Sequence, residues 1–296
     1  MALCASVCFA SCAVIIRKAT AGARESFTAT AISVFVGIPF FAVAISIAGD
    51  WGELLTVSWQ ALILLGAAGI IHFVAGRQLS YNALRFIGAN KATPFIMTNH
   101  FYTVILSVIF LNESLTATLI LGVIFIFGGA ALITVEKRSV SEGSEGASRT
   151  EVKGILVSLA AAVCWGVTPI LIKSAAAELA SPSARAFISY TVASIVMACL
   201  YFRRQQREQM TELMGLPLAA NFITVLFGGL LACGGQMLGF TALGISPASM
   251  LAPLMSTQIL FILVLSFLLN RQIEVFTPKV IMGMVATVAG TIFIFL

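Results

Sequence analysis

The sequence predicts an all-α integral membrane protein in which ten transmembrane helices form two inverted five-helix repeats. Three observations lead to this prediction. First, 59% of the 296 residues are hydrophobic and only 10% are charged, whereas soluble domains carry about 25% charged residues. Second, the apolar residues fall into runs of about 20, the length that crosses a bilayer as a helix. Third, one stretch of the chain occurs twice, which indicates an internal duplication.

Polar breaks divide the chain into ten apolar segments, numbered α1 to α10. They cover residues 2–19, 27–49, 57–84, 88–111, 117–135, 154–174, 182–202, 217–243, 247–269 and 276–296. The Ser- and Gly-containing charged stretch 136–153 is the predicted linker between a first repeat, 1–135, and a second, 154–296. Because each repeat has an odd number of crossings, the second must be inverted relative to the first, as in many secondary transporters.

The duplicated stretch covers residues 76–107 and 235–266, at an offset of 159. Identical pairs include Gly76 with Gly235 and Pro94 with Pro253. Outside this stretch, Phe9 aligns with Trp165 at an offset of 156. A proline followed by polar residues inside a membrane-length segment is what a binding site at a repeat interface requires.

Charge and cysteine content exclude several classes of partner. The net charge of +5 is spread over short loops and predicts no nucleic-acid surface. The six cysteines lie in apolar runs without metal-ligand spacing, so neither a metal site nor a cofactor is expected. The expected partners are the lipid bilayer and a small-molecule substrate, with the chain a monomer or homodimer in the cell (inner) membrane.

The motifs of the two halves resemble those of the drug/metabolite transporter superfamily, and within it the ten-helix EamA-type transporters. The residues that carry the resemblance are Trp165-Gly166 with Lys173, Tyr81-x-Ala83-Leu84, Phe240-x-Ala242-Leu243, Pro94, Pro253, Leu111-Asn112-Glu113 and the glycines Gly122, Gly128, Gly129 and Gly290. Two departures are Phe9, where the family favours tryptophan, and Arg271, where the first repeat has Glu113.

The resemblance implies export or exchange of small metabolites, amino acids among them, without ATP hydrolysis. It also implies that both termini lie in the cytoplasm. The charge pattern points the other way, because most of the 17 lysines and arginines lie on the linker side of the predicted bundle, and basic loops favour the cytoplasm.

Arg77 leads the first group of candidate substrate-binding residues. An ionisable side chain within the membrane is costly and therefore a functional candidate, and an arginine can hold a carboxylate or phosphate through paired donors. Its repeat counterpart is Gln236, and Tyr81 lies four residues on, on the same helix face. The alternative is that Arg77 extends to the membrane surface or pairs with a helix end.

A second group of candidates comprises Asn99, His100, Gln258, His72 and Trp165. Side-chain amides and imidazoles in hydrocarbon need hydrogen-bond partners, which either a substrate or a neighbouring helix can supply. The tryptophan could stack on an apolar substrate or simply pack within the bundle.

Three prolines, Pro94, Pro253 and Pro169, lie inside predicted helices and are candidate hinges or simple kinks. No aspartate or glutamate lies at the centre of a predicted helix. We therefore expect facilitated diffusion, exchange or histidine-linked coupling instead of a proton pump based on a buried carboxylate.

The competing functions are a channel or structural membrane subunit and, less well supported, an intramembrane enzyme. A channel usually places filter residues in a ring contributed by several subunits. Metal-dependent phosphate chemistry usually needs clustered carboxylates, and neither these nor a phosphate-binding loop occurs in the sequence. The chain is therefore predicted to be a carrier and not an enzyme.

Overall fold

The computed structural model describes residues 1–20, 26–111, 145–176, 178–201, 218–245, 258–273 and 276–294, together with Met255 and isolated positions between 118 and 132. Helices are the only regular secondary structure in these residues. Six helical spans are long and apolar enough to cross a membrane: Ala2–Thr20, Phe27–Ala48, Trp59–Ile87, Arg149–Ala176, Pro182–Leu200 and Phe222–Ala242. Gln258–Leu269 and Pro278–Gly290 are shorter apolar helices.

In the first half, α1 is one continuous helix and the next three are built from several pieces. The bounds are Ala2–Thr20 for α1, Phe27–Phe35 and Gly37–Ala48 for α2, Trp51–Thr56 for a short connecting helix, Trp59–Ala68, Gly69–Gly76 and Arg77–Ile87 for α3, and Ala89–Ile96 and Asn99–Leu111 for α4. For α5, the described positions between 118 and 132 are helical.

The described helices of the second half are uninterrupted. They are α6, Glu145–Ala176; α7, Pro182–Tyr201; α8, Leu218–Ile245; the described part of α9, Gln258–Leu269; and α10, Pro278–Ile294. Helix α6 begins before the predicted boundary and covers residues 145–153 of the expected linker. Glutamate, alanine, arginine and lysine in this stretch have high helix propensity, which explains its helical conformation despite its polarity.

The breaks in α2 and α3 were not predicted. Pro39 follows the break of α2 at Val36; a proline lacks the N–H that would bond to the carbonyl four residues earlier, and its ring crowds that carbonyl. Helix α3 contains the π-helical segment Gly69–Gly76. Helix α3 ends at Gly88, whose φ of 80° is a conformation that other residues rarely adopt.

The two halves pack on each other reciprocally. Helix α1 contacts α8 and α9, whereas α6 contacts α3 and α4. Likewise α7 packs on α2 and α3, and α2 packs on α8. Because lipid gives little hydrophobic drive for helices to associate, such contacts depend on close packing and interhelical hydrogen bonds. The residues at the centre of the bundle therefore come from both halves of the chain.

Candidate functional site

Arg77 is the first residue after the π-helical segment, and its side chain is buried at 4% exposure. Its Nη1 donates a hydrogen bond to the backbone oxygen of Ser33 at 3.0 Å and lies 3.5 Å from the Ser33 hydroxyl. Its Nη2 donates to the hydroxyl oxygen of Tyr190 at 2.8 Å. The guanidinium carbon is 4.9 Å from the ring centroid of Phe73 and 5.4 Å from that of Tyr190. Arg77 thus joins α2, α3 and α7.

The break in α2 explains why a backbone oxygen is available to Arg77. Ser33 lies in the last turn of the first part of this helix, where carbonyl groups lack helical partners and carry the negative end of the helix dipole. Just beyond the break, a Cβ atom on Gly37 would lie 2.0 Å from the Tyr190 ring. Only glycine at this position allows the aromatic ring to pack against α2 and present its hydroxyl to Arg77.

Among the residues that the structure describes, no carboxylate pairs with Arg77. Within the described part of the chain, no acidic oxygen lies within 4.0 Å of its guanidinium group. Its hydrogen bonds go to neutral oxygens only. A buried cation without a counter-ion is costly, and a guanidinium group has five N–H donors. The site therefore has both the charge and the spare donors to bind an anionic group.

Tyr81 on α3 and Gln236 on α8 are the two residues that the sequence groups with Arg77 as candidates for substrate binding. Tyr81 is buried, and its hydroxyl is 3.6 Å from the Sγ atom of Cys12 on α1. On α8, the thiol of Cys233 neighbours the Tyr190 hydroxyl, and Gln236 is buried three residues further on. The central cluster of Arg77, Ser33, Phe73, Tyr190 and Cys233 therefore contains residues from both halves of the chain.

His72 and Trp165 form a second cluster, next to the first along α3. Their rings stack with centroids 5.5 Å apart, and Trp165 Nε1 donates a hydrogen bond to the His72 backbone oxygen at 3.2 Å. The Nδ1 atom of His72 is buried, and no described residue bonds to it. Trp165 also packs directly on Gly76, the residue before Arg77. The stack therefore lies beside the arginine, between α3 and α6.

Asn99 and His100 begin the second part of α4. The Asn99 side-chain oxygen is buried without a partner among the described residues, and its backbone oxygen accepts a hydrogen bond from Thr103. The same Thr103 hydroxyl lies 3.0 Å from the backbone oxygen of Gly166, joining α4 to α6. By contrast, the Nδ1 atom of His100 is 3.2 Å from the backbone oxygen of Met97 in its own turn.

The remaining predicted residues lie at less central or less defined positions. Gln258 is half-buried at the start of the described part of α9, and Pro253 lies outside the described residues. Helix α4 is interrupted at Met97 and Thr98, shortly after Pro94. Helix α6, in contrast, continues unbroken through Pro169.

Four residues of the central arrangement were missing from the sequence-based prediction: Ser33, Phe73, Tyr190 and Pro39. Only the pattern Gly37-Ile38-Pro39 gave a usable signal, since a proline inside an apolar run predicts a break in the helix. A backbone oxygen has no sequence signal of its own, and a single tyrosine in an apolar run is usually a packing residue.

A separate groove of about 450 Å³ lies between α1, α8 and α9. Its lining contains none of the predicted site residues, and two of its lining residues, Ile223 and Phe227, are exposed on the outside of the bundle. The groove consists of Val14, Ile15, Lys18, Ala19, Ile223, Thr224, Phe227, Leu269 and Asn270.

Comparison with known proteins identifies the family. The EamA-like transporter family matches residues 1–135 and 152–296. No curated protein matches the chain. Among 21 matching chains of solved structures, one described only as "Crystal structure of protein" superimposes with a TM-score of 0.66 at 16% identity, covering 98% of this chain and 93% of the other. At this identity the likeness concerns the fold.

These matches agree with the apolar helices and with the resemblance seen in the motifs. Membership in this family implies secondary transport, without an enzymatic reaction, by a protein embedded in the bilayer. The chain therefore belongs to the EamA-like transporter family and is a multi-pass integral membrane transporter of small molecules.

Proposed function

We propose that this protein exports or exchanges small organic metabolites that carry a carboxylate or phosphate group, amino acids among them, by alternating access. In this proposal the two repeats, 1–135 and 154–296, have inverted orientations and move relative to each other around a site between them. The reciprocal packing of α1 on α8 and of α6 on α3 supports such an arrangement.

The observation that carries the proposal is the unbalanced charge of Arg77. It lies where α2, α3 and α7 meet, it is buried, and its hydrogen bonds go to neutral oxygens. An anionic group of a substrate would supply the missing counter-charge and accept hydrogen bonds from the donors that remain. A bidentate arginine–carboxylate contact is both strong and geometrically selective.

The other predicted residues would then hold the rest of the substrate. His72, Trp165 and Asn99 lie where α6 packs on α3 and α4. This region adjoins Arg77 because Trp165 packs on Gly76, the preceding residue. Tyr81, Gln236, Gln258 and His100 are proposed to complete the lining. Pro94, Pro169 and Pro253 are proposed hinge positions, and Pro39, at the break of α2, joins them on structural grounds.

Because predicted helix centres lack carboxylates, we propose facilitated diffusion, exchange or histidine-linked coupling as the transport mode. A liposome assay tests this mode directly. Transport should be insensitive to an imposed pH gradient or should lose its sensitivity when His72 and His100 are replaced. Proton-driven accumulation that survives both replacements would contradict the proposal.

Counterflow in proteoliposomes tests the anion site. The assay would compare labelled amino acids with the corresponding amines, which lack the carboxylate, after a toxicity-rescue screen has identified transported compounds. We expect Arg77→Gln to lower kcat/KM for carboxylate substrates about 100-fold, the usual consequence of removing one partner of a buried charged hydrogen bond. Arg77→Lys should retain part of the activity, and Gln258→Ala should also impair transport.

The matched control is Arg271→Gln, because this arginine is exposed at the end of α9 and lies over the Phe267 ring. It should transport like the wild type. Full activity of a folded Arg77→Gln variant would place the anion site elsewhere, and ohmic single-channel currents would indicate a channel instead of a carrier.

A further inference from the structure

Arg185, in the first turns of α7, is a second buried arginine that forms no ion pair with any described residue. Its side chain is 3% exposed. Its Nη1 donates a hydrogen bond to the backbone oxygen of Leu179 at 2.8 Å, and its Nε is buried with no partner in the described part of the chain. No described carboxylate oxygen lies within 4.0 Å of its guanidinium group. Like Arg77, Arg185 is thus a buried arginine without an ion pair among the described residues, but it lies in the second half of the chain.

A polar contact joins two connections at the end of the bundle where Arg185 lies. The backbone N–H of Ser181 donates to Glu53 Oε2 at 2.9 Å, and the Ser181 hydroxyl donates to Asp50 Oδ2 at 2.6 Å. The Ser58 hydroxyl also donates to Glu178. These bonds join the connection between α2 and α3 to the connection between α6 and α7, so we name them the connection contact.

Ser181 also determines where α7 begins. Its hydroxyl oxygen accepts a hydrogen bond from the Ala184 backbone N–H at 3.2 Å, which caps the helix. Arg185 follows one turn later, on the bundle side of the connection contact. Glu53, which bonds to Ser181, is the acidic residue that acts electrostatically on Arg185. With the connection contact formed, an arrangement that we call closed, a carboxylate of the protein therefore lies near this arginine without pairing with it.

From Arg185, α7 leads directly to the central cluster. Ser189 lies four residues on and shares the face of Arg185; it is fully buried, and its hydroxyl has no partner among the described residues. Tyr190, which bonds to Arg77, is five residues from Arg185, a rise of about 7.5 Å along a helix. Helix α3 approaches closely here, since a Cβ on Gly69 would lie 2.3 Å from the Ser189 backbone oxygen.

We propose that Arg185 and Ser189 form a second anion-binding position, which holds the carboxylate or phosphate group of the transported solute between the connection contact and Arg77. The proposal rests on the proposed function, since it concerns the route of the same substrate. The Arg185 guanidinium supplies paired N–H donors and the Ser189 hydroxyl supplies one more. When Ser181 separates from Asp50 and Glu53, the solute anion takes the place near Arg185 that Glu53 occupies in the closed arrangement.

The test is the sidedness of the effect of Arg185→Gln on transport, measured in right-side-out cells and in inside-out membrane vesicles. We expect KM for a carboxylate substrate to rise about tenfold from the face that carries the connection contact and to remain unchanged from the other face. Ser189→Ala should give a smaller rise on the same face. Arg185→Lys should restore most of the affinity because it keeps the charge.

Lys173→Gln is the matched control, because Lys173 is an exposed cation at the same end of α6. It should leave KM unchanged on both faces. If Arg185 only holds the Leu179 carbonyl, Arg185→Gln would instead lower the melting temperature and reduce transport equally from both faces, and this result would overturn the proposal. Unchanged KM on both faces would overturn it as well.

A second measurement needs no known substrate. In a cysteine-free background, Ser189→Cys would be modified with thiol reagents of equal size and opposite charge. We expect the anionic reagent to react faster from the connection-contact face, and Arg185→Gln to abolish this preference; equal rates with Arg185 present would refute the anion position.

Arg77→Gln, measured in parallel, separates the two proposals. If Arg77→Gln abolishes transport and Arg185→Gln has no effect, the second position alone is refuted. If Arg185→Gln raises KM and Arg77→Gln has no effect, the central role of Arg77 alone is refuted.

Discussion

Gly76 and Gly235 occupy equivalent positions in the duplicated stretch, and in the folded protein each packs against an aromatic ring from the other half of the chain. A Cβ atom on Gly76 would lie 2.6 Å from Nε1 of Trp165, and one on Gly235 would lie 3.0 Å from the ring of Phe9. Trp165 and Phe9 are themselves equivalent residues. The duplicated sequence thus yields the same interlocking contact twice, once between α6 and α3 and once between α1 and α8.

The residues that follow these glycines differ in both chemistry and backbone. Arg77 follows the π-helical segment Gly69–Gly76, whereas Gln236 lies in the continuous α-helix Leu218–Ile245. A π-helical turn is wider than an α-helical turn and is often associated with functional sites. The Arg77 side chain reaches Ser33 and Tyr190. The comparison teaches that the two equivalent positions share the same packing and differ in charge and backbone conformation.

The most severe test of this comparison exchanges the two residues. Arg77→Gln combined with Gln236→Arg keeps the composition, but it removes the hydrogen bonds that Arg77 donates to Ser33 and Tyr190 and places the charge on a regular helix. We expect transport of carboxylate substrates to remain about 100-fold below wild type. Proteoliposome counterflow of the double variant and both single variants measures this. Recovery of transport in the double variant would mean that the two copies are chemically interchangeable.

Alanine substitution of the two glycines compares the interlocking contacts themselves. Gly76→Ala pushes against the rigid Trp165 ring and should lower the free energy of unfolding by roughly 1–3 kcal/mol. Gly235→Ala meets a less crowded ring and should cost less, about 1 kcal/mol. Denaturant unfolding in detergent gives both values. Gly234→Ala is the control, because a Cβ there has no neighbour within 4 Å and alanine has a higher helix propensity than glycine; an equal loss in all three variants would show that the two aromatic contacts are not responsible.

The smallest expected effect is that of Trp165→Phe, which places the same residue type at both equivalent positions. The variant loses the hydrogen bond from Nε1 to the His72 backbone oxygen, worth about 1 kcal/mol. Unfolding measurements should show this loss, while Trp59→Phe, at a position that is 67% exposed, should show none. A Trp165→Phe variant as stable as the wild type would mean that the hydrogen bond contributes nothing beyond ring packing.

Much of the fold follows from the sequence because the bilayer imposes a simple length rule. Segments of about 20 apolar residues must be helices, since no other open structure satisfies its backbone hydrogen bonds in lipid. The family could be recognised from the motifs, and the place of Arg77 within an apolar segment predicted its burial. The start of α6 at Glu145 was not recognised, because a polar stretch with high helix propensity can continue a helix beyond the membrane.

By itself, then, the sequence determined the apolar helices, the duplication and the presence of one costly cation in the first repeat. Only the tertiary structure decided what that cation contacts: a carbonyl freed at the break of α2, and the Tyr190 hydroxyl from the other repeat. It also brought Arg185 into a buried position beneath the contact of Ser181 with Asp50 and Glu53. These contacts join residues between 44 and 131 positions apart, and no local pattern encodes such pairings.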